Sequence, residues 1–442
     1  MCSVALKGIY AENYSVFAER VEFTCVSDAS KKEHSKNTFI AGEHEINKVS
    51  YIYGTNGAGK TYFCKIVREI QNIISFSPLF MVNDNKLKKM IQNGDISNKV
   101  NGFLFDTEYR DKPTLFGIEL IIDDVLYCYE FSIASGRILS ELLTKKYRRT
   151  EKILDRTSPD NKDIVLKSEL KSFENNKKVV REETLCLAMA AVLNNDLARV
   201  IVRAITDINV FNMAIPQLAP ADLESFSDEK MEKYKRVLQK ADSTIWDMKI
   251  EVSEEEIHHS KSELDDFENR DLMQKQLRVG VKTTHKLYDH GQFFDDYTDS
   301  IDFFNDESLG TVKLFTTLPY LYNVLENGGT LILDEIENGM HFRVVREMIA
   351  LFIDEESNPK GAQLICTTHQ PLLINENVKR DQVWIISKNE VGKSRMQRMS
   401  KDASSKVNVS LMNKIIEGAL GYKPESFFKN NLFTPVKGDR IF

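Results

Sequence analysis

Residues Gly54-Thr55-Asn56-Gly57-Ala58-Gly59-Lys60-Thr61 satisfy the spacing G-x-x-x-x-G-K-[ST], and no other stretch of the chain restricts its fold as much. They follow an apolar run, residues 49–53, that reads as a strand, and they lead into residues 61–67, which read as the start of a helix. A glycine-rich turn at such a junction lets successive N–H groups point inward around an anion, at the positive end of the helix dipole. Lys60 is then placed for the β- and γ-phosphates and the Thr61 hydroxyl for Mg²⁺. The pattern predicts an α/β lobe that binds a nucleoside phosphate.

The bulk numbers narrow the setting. A chain of 442 residues, 42% of them hydrophobic, can fill one large core or two ordinary ones. The net charge of −7 supplies no global basic field for nucleic acid, although a local patch is compatible with it. The six cysteines form no C-x-x-C pair, which argues against a zinc site or a disulfide framework and suits a reducing compartment. Lys7 and Glu12 interrupt the weakly apolar start, and no run of 18 apolar residues follows. The expectation is a cytoplasmic protein without a membrane segment.

Periodicity divides the chain into three. Residues 1–149 read as the N-terminal part of a nucleotide-binding lobe, with strands at 4–10, 16–24 and 49–53, a polar loop at 27–38 and a helix from the phosphate loop to about residue 76. After Pro78 a mixed helical segment is expected to about residue 101. Strands at 114–120, 125–133 and 138–145 are joined by the turns Asp123-Asp124 and Ser135-Gly136. Residues 150–280 are poor in glycine and rich in charge, and read as a mostly helical insertion. Its helices are expected at 182–194, 196–207 and 222–242, the last capped by Ser225 or Ser227, with 253–270 a loop or exposed helix. Residues 281–442 complete the lobe after a β-segment at 279–287, with helices at 311–325 and 341–354 and strands at 330–333, 363–367 and 382–387. A small helix is expected at 410–420. The fold class is α/β, a mixed sheet flanked by helices.

Three further motifs follow in order. In Thr330-Leu331-Ile332-Leu333-Asp334-Glu335, a buried central strand ends in two carboxylates, where open α/β sheets bind ligands. Asp334 can hold Mg²⁺, directly or through water, and Glu335 can orient the attacking water. Thr367-Thr368-His369 ends a neighbouring strand 34 residues after Glu335, from which His369 can reach a γ-phosphate. Glu307-Ser308-Leu309-Gly310-Thr311-Val312-Lys313 opens the helix leading to Asp334, where Ser308 and Gly310 offer hydroxyl and N–H donors to an anion.

With Tyr53 before the loop, Asn338-Gly339-Met340-His341 after the acidic pair and Gln370 after His369, these motifs resemble bacterial AAA-type ATPases of the OLD and abortive-infection kind, a branch of the ABC/SMC-like ATPases. Residues 115–133 with Ile138–Glu141, and Ala241-Asp242-x-x-Ile245 ahead of Ile250–Val252, are similar to that family too. The resemblance covers most of 1–150 and 285–390. It implies ATP and Mg²⁺ as cofactors, Lys60 and Thr61 on phosphate and metal, Asp334 on the metal, Glu335 as the catalytic carboxylate and His369 as the switch histidine. It further implies a homodimer or higher oligomer in which Ser308 and Gly310 contact ATP held by the partner subunit, with residues 338–341 at the junction. Two departures stand out. No glutamine takes the coupling position, Gln71 lying on the first helix and Gln92 away from a strand end, and Leu309-Gly310-Thr311 stands where transporter cassettes carry two glycines.

What the nucleotide controls rests on the resemblance. It implies an ATP-hydrolysing switch in bacterial antiphage defence. After His369 the sequence offers no D-x-D pair for the nuclease domain of OLD proteins, so the effector, a nuclease or toxin, is expected on a separate chain. Competing readings are an SMC- or RecF-like ATPase that clamps DNA and a scaffold that holds ATP with very slow hydrolysis. Lys145-Lys146-Tyr147-Arg148-Arg149 is the best candidate for a nucleic-acid or partner contact, while Lys177-Lys178, Glu254–Glu256 and Asp265-Asp266 read as solvated faces. His258-His259 reads as surface rather than a metal site.

Overall fold

A computed structural model of the chain describes residues 3–28, 35–81, 100–212, 227–257, 274–298, 300–374 and 378–399. It divides into two compact units, residues 1–211, 324–336 and 349–442 in one, and residues 212–323 and 337–348 in the other.

The first unit holds two large sheets. Strands β1 (Val4–Glu12), β2 (Val21–Thr24), β6 (Thr114–Ile122), β7 (Val125–Ala134), β8 (Arg137–Lys146), β9 (Thr150–Arg156) and β10 (Ile164–Leu166) form an antiparallel sheet in the order β10-β9-β8-β7-β6-β1-β2. The Asp123-Asp124 turn carries φ of 47° and 64°, and Ser135-Gly136 carries 50° and 79°. Two successive positive φ values match the twist of the flanking strands, so each pair closes a tight hairpin. A second, mixed sheet has β5 (Val49–Gly54), β11 (Asn209–Asn212), β16 (Thr330–Asp334), β17 (Gln363–Thr368), β18 (Val383–Lys388) and β19 (Ser394–Arg398) in the order β11-β16-β17-β5-β18-β19. Strands β16, β17, β5 and β18 are parallel neighbours, and β19 is antiparallel at the edge. A small hairpin, β3 (Thr38–Ala41) and β4 (His44–Asn47), stands apart from both.

Helix α1 (Lys60–Phe76) buries Phe63, Ile66, Val67, Ile70, Ile73 and Ile74, a spacing of three and four that gives one apolar stripe. Phe63 meets Phe23 of β2 edge-on at 5.4 Å, and Phe23 meets Trp384 of β18 at 5.1 Å, which ties the helix to both sheets. Helices α2 (Cys186–Val192) and α3 (Asp196–Thr206) also belong to this unit. Its charged anchor is Glu141 on β8, whose side chain is fully buried. Glu141 accepts from the Cys186 and Leu187 amides at 2.7 and 2.9 Å and from the Tyr129 hydroxyl at 2.9 Å. Arg156 lies 3.9 Å from it and donates to the carbonyls of Ser158, Pro159, Arg181 and Thr184.

The second unit is built on α4 (Asp228–Ala241), capped by Ser227, and on a sheet of β12 (Ile245–Ile257), β13 (Gln274–Asp289) and β14 (Gln292–Tyr297). The short β15 (Ile301–Asp302) pairs with β13, and α5 (Phe303–Asp306) precedes α6 (Leu309–Asn327). Helix α7 (Phe342–Ile353) crosses the division between the units.

Several expectations need correction. The insertion at 150–280 is mixed in its described part, because β9, β10, β11, β12 and the start of β13 fall within it. Charge and scarce glycine favour a helix locally, but strand formation is decided by pairing partners distant in sequence. The first division between the two units falls after residue 211. The strand expected at 16–24 begins only at Val21, since Asn13 and Ser15 take φ of 50° and 52° and turn the chain through 14–17. Residues 253–257 are strand, not loop or helix. The pairs His258-His259 and Asp265-Asp266, Gln92, Ser225 and the helix expected at 410–420 lie outside the described residues.

Candidate functional site

The phosphate loop leaves β5 at Gly54 and enters α1 at Lys60, in the strand–loop–helix setting its spacing predicts. Three glycines are required for different reasons. A Cβ at Gly54 would stand 2.6 Å from the Ile386 carbonyl of β18. Gly59, the N-cap at φ 115°, leaves no room either, since its Cβ would approach Val16 Cγ2 at 2.8 Å. Gly57, at φ 75°, faces open space with no atom within 4 Å of a Cβ. The loop is thus clamped at both ends and open at its middle, where Asn56 and Gly57 are exposed. Ser394 of β19 braces it by donating to the Ala58 carbonyl at 2.6 Å. Lys60 is 5% exposed, and its Nζ donates to the carbonyls of Gly54 at 2.9 Å and Thr55 at 3.2 Å. Its charge is therefore held across the loop, and Thr61 follows in the first helical turn.

The parallel order β16-β17-β5 brings the other candidates to the same edge of the sheet, the carboxyl end. Asp334 is the last residue of β16 and 2% exposed. Thr367 Oγ1, on β17, donates to Asp334 Oδ1 at 2.6 Å and accepts from the Glu335 amide at 2.8 Å. The Ile336 amide bonds the Thr367 carbonyl at 3.1 Å. Glu335 takes φ 56°, a left-handed conformation that is uncommon for a residue with a side chain. That bend turns the chain away from the strand directly after Asp334. Cys64 of α1 places Sγ 3.9 Å from Asp334 Oδ1, so the first turns of the loop helix pack on the end of β16. His369 follows β17 half-buried, and Tyr53 of β5 donates its hydroxyl to the Gln370 carbonyl at 3.2 Å, fixing the chain beside it.

An open-centred loop with an ammonium across it and a buried carboxylate at the next strand end but one fits the chemistry of a nucleoside triphosphate with Mg²⁺. The loop amides and Lys60 suit phosphate oxygens; Thr61 and Asp334 offer the oxygen ligands a hard cation takes.

Ser308 and Gly310 fall in the second unit, where they are brought together with the turn after the acidic pair. Ser308 is exposed and caps α6, its Oγ accepting from the Thr311 amide at 3.2 Å. A Cβ on Gly310 would stand 2.6 Å from the Gly339 carbonyl, and Lys313, 1% exposed, donates to the Asn338 carbonyl at 3.0 Å. Residues 308–313 and 338–340 are therefore one packed element.

Other features sort differently. Gln71 donates to the carbonyls of Ile205 and Ile208 at 2.9 and 2.7 Å, so it caps the end of α3. Within the basic run, Lys145 is bonded to Glu169 and Lys146 lies 3.6 Å from Glu43, which neutralises two of its charges locally. Among the described residues no cluster of three His, Cys, Asp or Glu side chains could hold a metal, and no helix is long and apolar enough to cross a membrane. Sequence reasoning did not single out the hydroxyl of Thr367. Its only signal is the Thr-Thr pair ahead of His369.

Comparisons with known proteins bear on this arrangement. Residues 228–375, about a third of the chain, match the family model described as "AAA domain, putative AbiEii toxin, Type IV TA system". That span includes Ser308, Asp334, Glu335 and His369, and the phosphate loop lies outside it. No curated protein matches the chain. Among solved structures, an SMC head bound to the C-winged helix domain of ScpA is similar at 13% identity and a TM-score of 0.40, covering 89% of this chain and 96% of that one. The SMC head domain from Thermotoga maritima is similar at 11% identity and a TM-score of 0.31, covering 89% and 98%. Residues 228–375 thus carry a likeness to an AAA domain, and the phosphate loop at 54–61 precedes them in the chain.

Proposed function

We propose that the protein is an ATP-hydrolysing switch that works as a homodimer or higher oligomer, in which the Ser308–Gly310 loop of one subunit completes the ATP site of another. The observation that carries the hydrolytic part is the shared clasp of Thr367 on Asp334 and on the amide of Glu335. Positioning and charge stabilisation dominate phosphoryl transfer, so a hydroxyl that fixes both the Asp334 carboxylate and the backbone of Glu335 suits it. The amides of 57–61 and Lys60 bind the phosphates and fix the γ-phosphoryl group in line. Mg²⁺, when bound by Thr61 and Asp334, neutralises charge that develops on that group. Glu335 orients a water for attack, and His369 contacts the γ-phosphate and relays its loss to the chain beyond β17.

The regulatory setting we propose is bacterial antiphage defence, with ATP turnover controlling a separate effector. It is supported by the family resemblance of the motifs and by the toxin–antitoxin description of the matching model. The neutralised lysines at 145 and 146 weigh against that run as a DNA contact.

The test compares wild type, Lys60→Ala and Glu335→Gln, each purified with its co-encoded neighbours. Lys60→Ala loses ATP binding, whereas Glu335→Gln retains ATP and accumulates the dimer. ATP binding unchanged by Lys60→Ala would refute the site. Hydrolysis accelerated by DNA, with no partner co-purifying, would favour the DNA clamp instead.

A further inference from the structure

In the second unit, the residue before Ser308 is directed inward while Ser308 faces solvent. The Glu307 side chain is 5% exposed, and its Oε1 lies 2.7 Å from His285 Nε2. Thr283, fully buried, donates its hydroxyl to the same oxygen at 2.6 Å. Both partners lie on β13, two residues apart, so they project from the same face of the strand. The far side of the imidazole is held too. His285 Nδ1 lies 3.0 Å from Thr244 Oγ1, and that hydroxyl contacts Asp242 Oδ1 at 2.6 Å.

The backbone of His285 is fixed on both flanks of the strand. Its amide donates to Thr298 Oγ1 at 2.9 Å, its carbonyl accepts from the Thr298 amide at 3.0 Å, and the Lys286 amide donates to the Thr244 carbonyl at 3.0 Å. A chain of short hydrogen bonds therefore runs from the α4–β12 junction through the imidazole to the loop that opens α6. The loop has its own rigid floor, because Gly310 rests on the Gly339 carbonyl.

From this geometry we infer that His285 and Glu307 are a positioning pair that sets Ser308 and Gly310 for nucleotide. The inference rests on the proposed trans role of Ser308. The buried Glu307 carboxylate cannot shift without losing its contacts to both His285 and Thr283, so it fixes the backbone that carries Ser308. Neither residue touches ATP in this scheme. Their effect is on turnover and on nucleotide-driven dimerisation, not on first binding by the phosphate loop of the same subunit.

The test measures steady-state ATPase, nucleotide affinity by a fluorescent ATP analogue, and thermal stability for wild type, Ser308→Ala, His285→Ala and His285→Gln. Glutamine keeps one N–H donor for Glu307. Expected is a tenfold or greater fall in kcat for Ser308→Ala and His285→Ala with analogue affinity within about twofold of wild type. Expected also is recovery to within about threefold of wild type in His285→Gln. A His285→Ala variant with normal kcat overturns the inference while a defective Ser308→Ala leaves the proposed function standing. Equal loss in His285→Ala and His285→Gln, together with lowered melting temperature, also overturns it, because the contact is then only structural. A wild type without turnover, or an active Ser308→Ala, overturns both readings.

Discussion

Thr367 Oγ1 lies 2.6 Å from Asp334 Oδ1, on the neighbouring parallel strand, and its other contact is the amide of Glu335. A hydroxyl has one proton to give, and here it goes to the carboxylate, leaving lone pairs for the amide. One side chain therefore sets both the carboxylate proposed to hold Mg²⁺ and the backbone of the carboxylate proposed to align water. It also holds Glu335 in its left-handed conformation, which is costly for a residue with a Cβ.

Replacing Thr367 by Val keeps the shape and removes both bonds. The part-buried Glu335 amide then loses its bond to Thr367, at a cost of about 1 kcal/mol in stability. Turnover falls roughly ten- to a hundredfold, since small misplacements of aligned groups are that costly. Thr367→Ser retains most of both. Denaturant unfolding alongside ATPase assays decides it: a Val variant with normal turnover would remove the hydroxyl from the account.

The glycines of the loop separate binding from folding. At Gly57, where a methyl meets no atom, alanine costs only the positive φ, about 1–2 kcal/mol. It nevertheless puts a methyl at the open middle of the loop, and ATP affinity falls tenfold or more. At Gly59, alanine meets Val16 Cγ2 at 2.8 Å as well as the unfavourable φ of 115°, so the loop and the first turn of α1 are disrupted. The measurement is the pair of denaturation midpoints and analogue affinities. Comparable destabilisation by the two substitutions would show that the middle of the loop is also a packing site.

Which features were legible follows from how local their causes are. The phosphate loop, the strand before it and the 123–124 and 135–136 turns were readable, because each depends on residues adjacent in sequence. The acidic pair at 334–335 was readable as the end of a buried strand, but its tie to Thr367 was not, since Thr367 reaches it only through the parallel register of β16 and β17. Strand β12 was hidden because its partner β13 begins 17 residues after it ends, at Gln274 after Ile257. The part of Gln71 in capping α3 likewise needed a contact more than 130 positions away.

The Glu141 anchor gives a pH dependence of stability. Burial pushes its carboxyl above the usual range, opposed by Arg156, the Leu187 and Cys186 amides and Tyr129. Burial also raises Glu69. A carboxyl raised in the folded state binds its proton more tightly there than in the unfolded chain. Its contribution is then full below the ordinary carboxylate range and is lost as pH rises through the folded-state value. Unfolding free energy should decline with pH across that window, by at most about 1.4 kcal/mol per pH unit for one group. Glu141→Gln, which cannot titrate, should reduce the slope to what Glu69 and other groups supply. Arg156→Met should cost about 3–5 kcal/mol at neutral pH, because it leaves a buried carboxylate without its cation. An unchanged slope in Glu141→Gln would show that the anchor is ionised in both states.

Cysteine reactivity reports on the nucleotide site directly. Burial pushes the Cys25 thiol up to about 12 and the thiols of Cys64 and Cys186 well above the ordinary value, with Asp334 adding to the effect on Cys64. At pH 8 a thiol with a pKa near 12, as at Cys25, is ionised in on the order of one molecule in ten thousand, and Cys64 and Cys186 are buried with their thiols raised as well, so native-state alkylation of these positions is slow and requires opening. Cys64 sits 3.9 Å from Asp334 Oδ1, so its exposure requires α1 to part from the end of β16. Saturating ATP with Mg²⁺ should slow its labelling further, about a hundredfold at a ligand concentration 100 times Kd if only the closed form binds. Cys186, in α2 beside the Glu141 anchor, discriminates local from global protection. Protection of Cys64 alone means that nucleotide clamps the loop helix onto β16. Equal protection of both means that opening is global. No protection at Cys64 would show that Asp334 and the phosphate loop do not share one ligand.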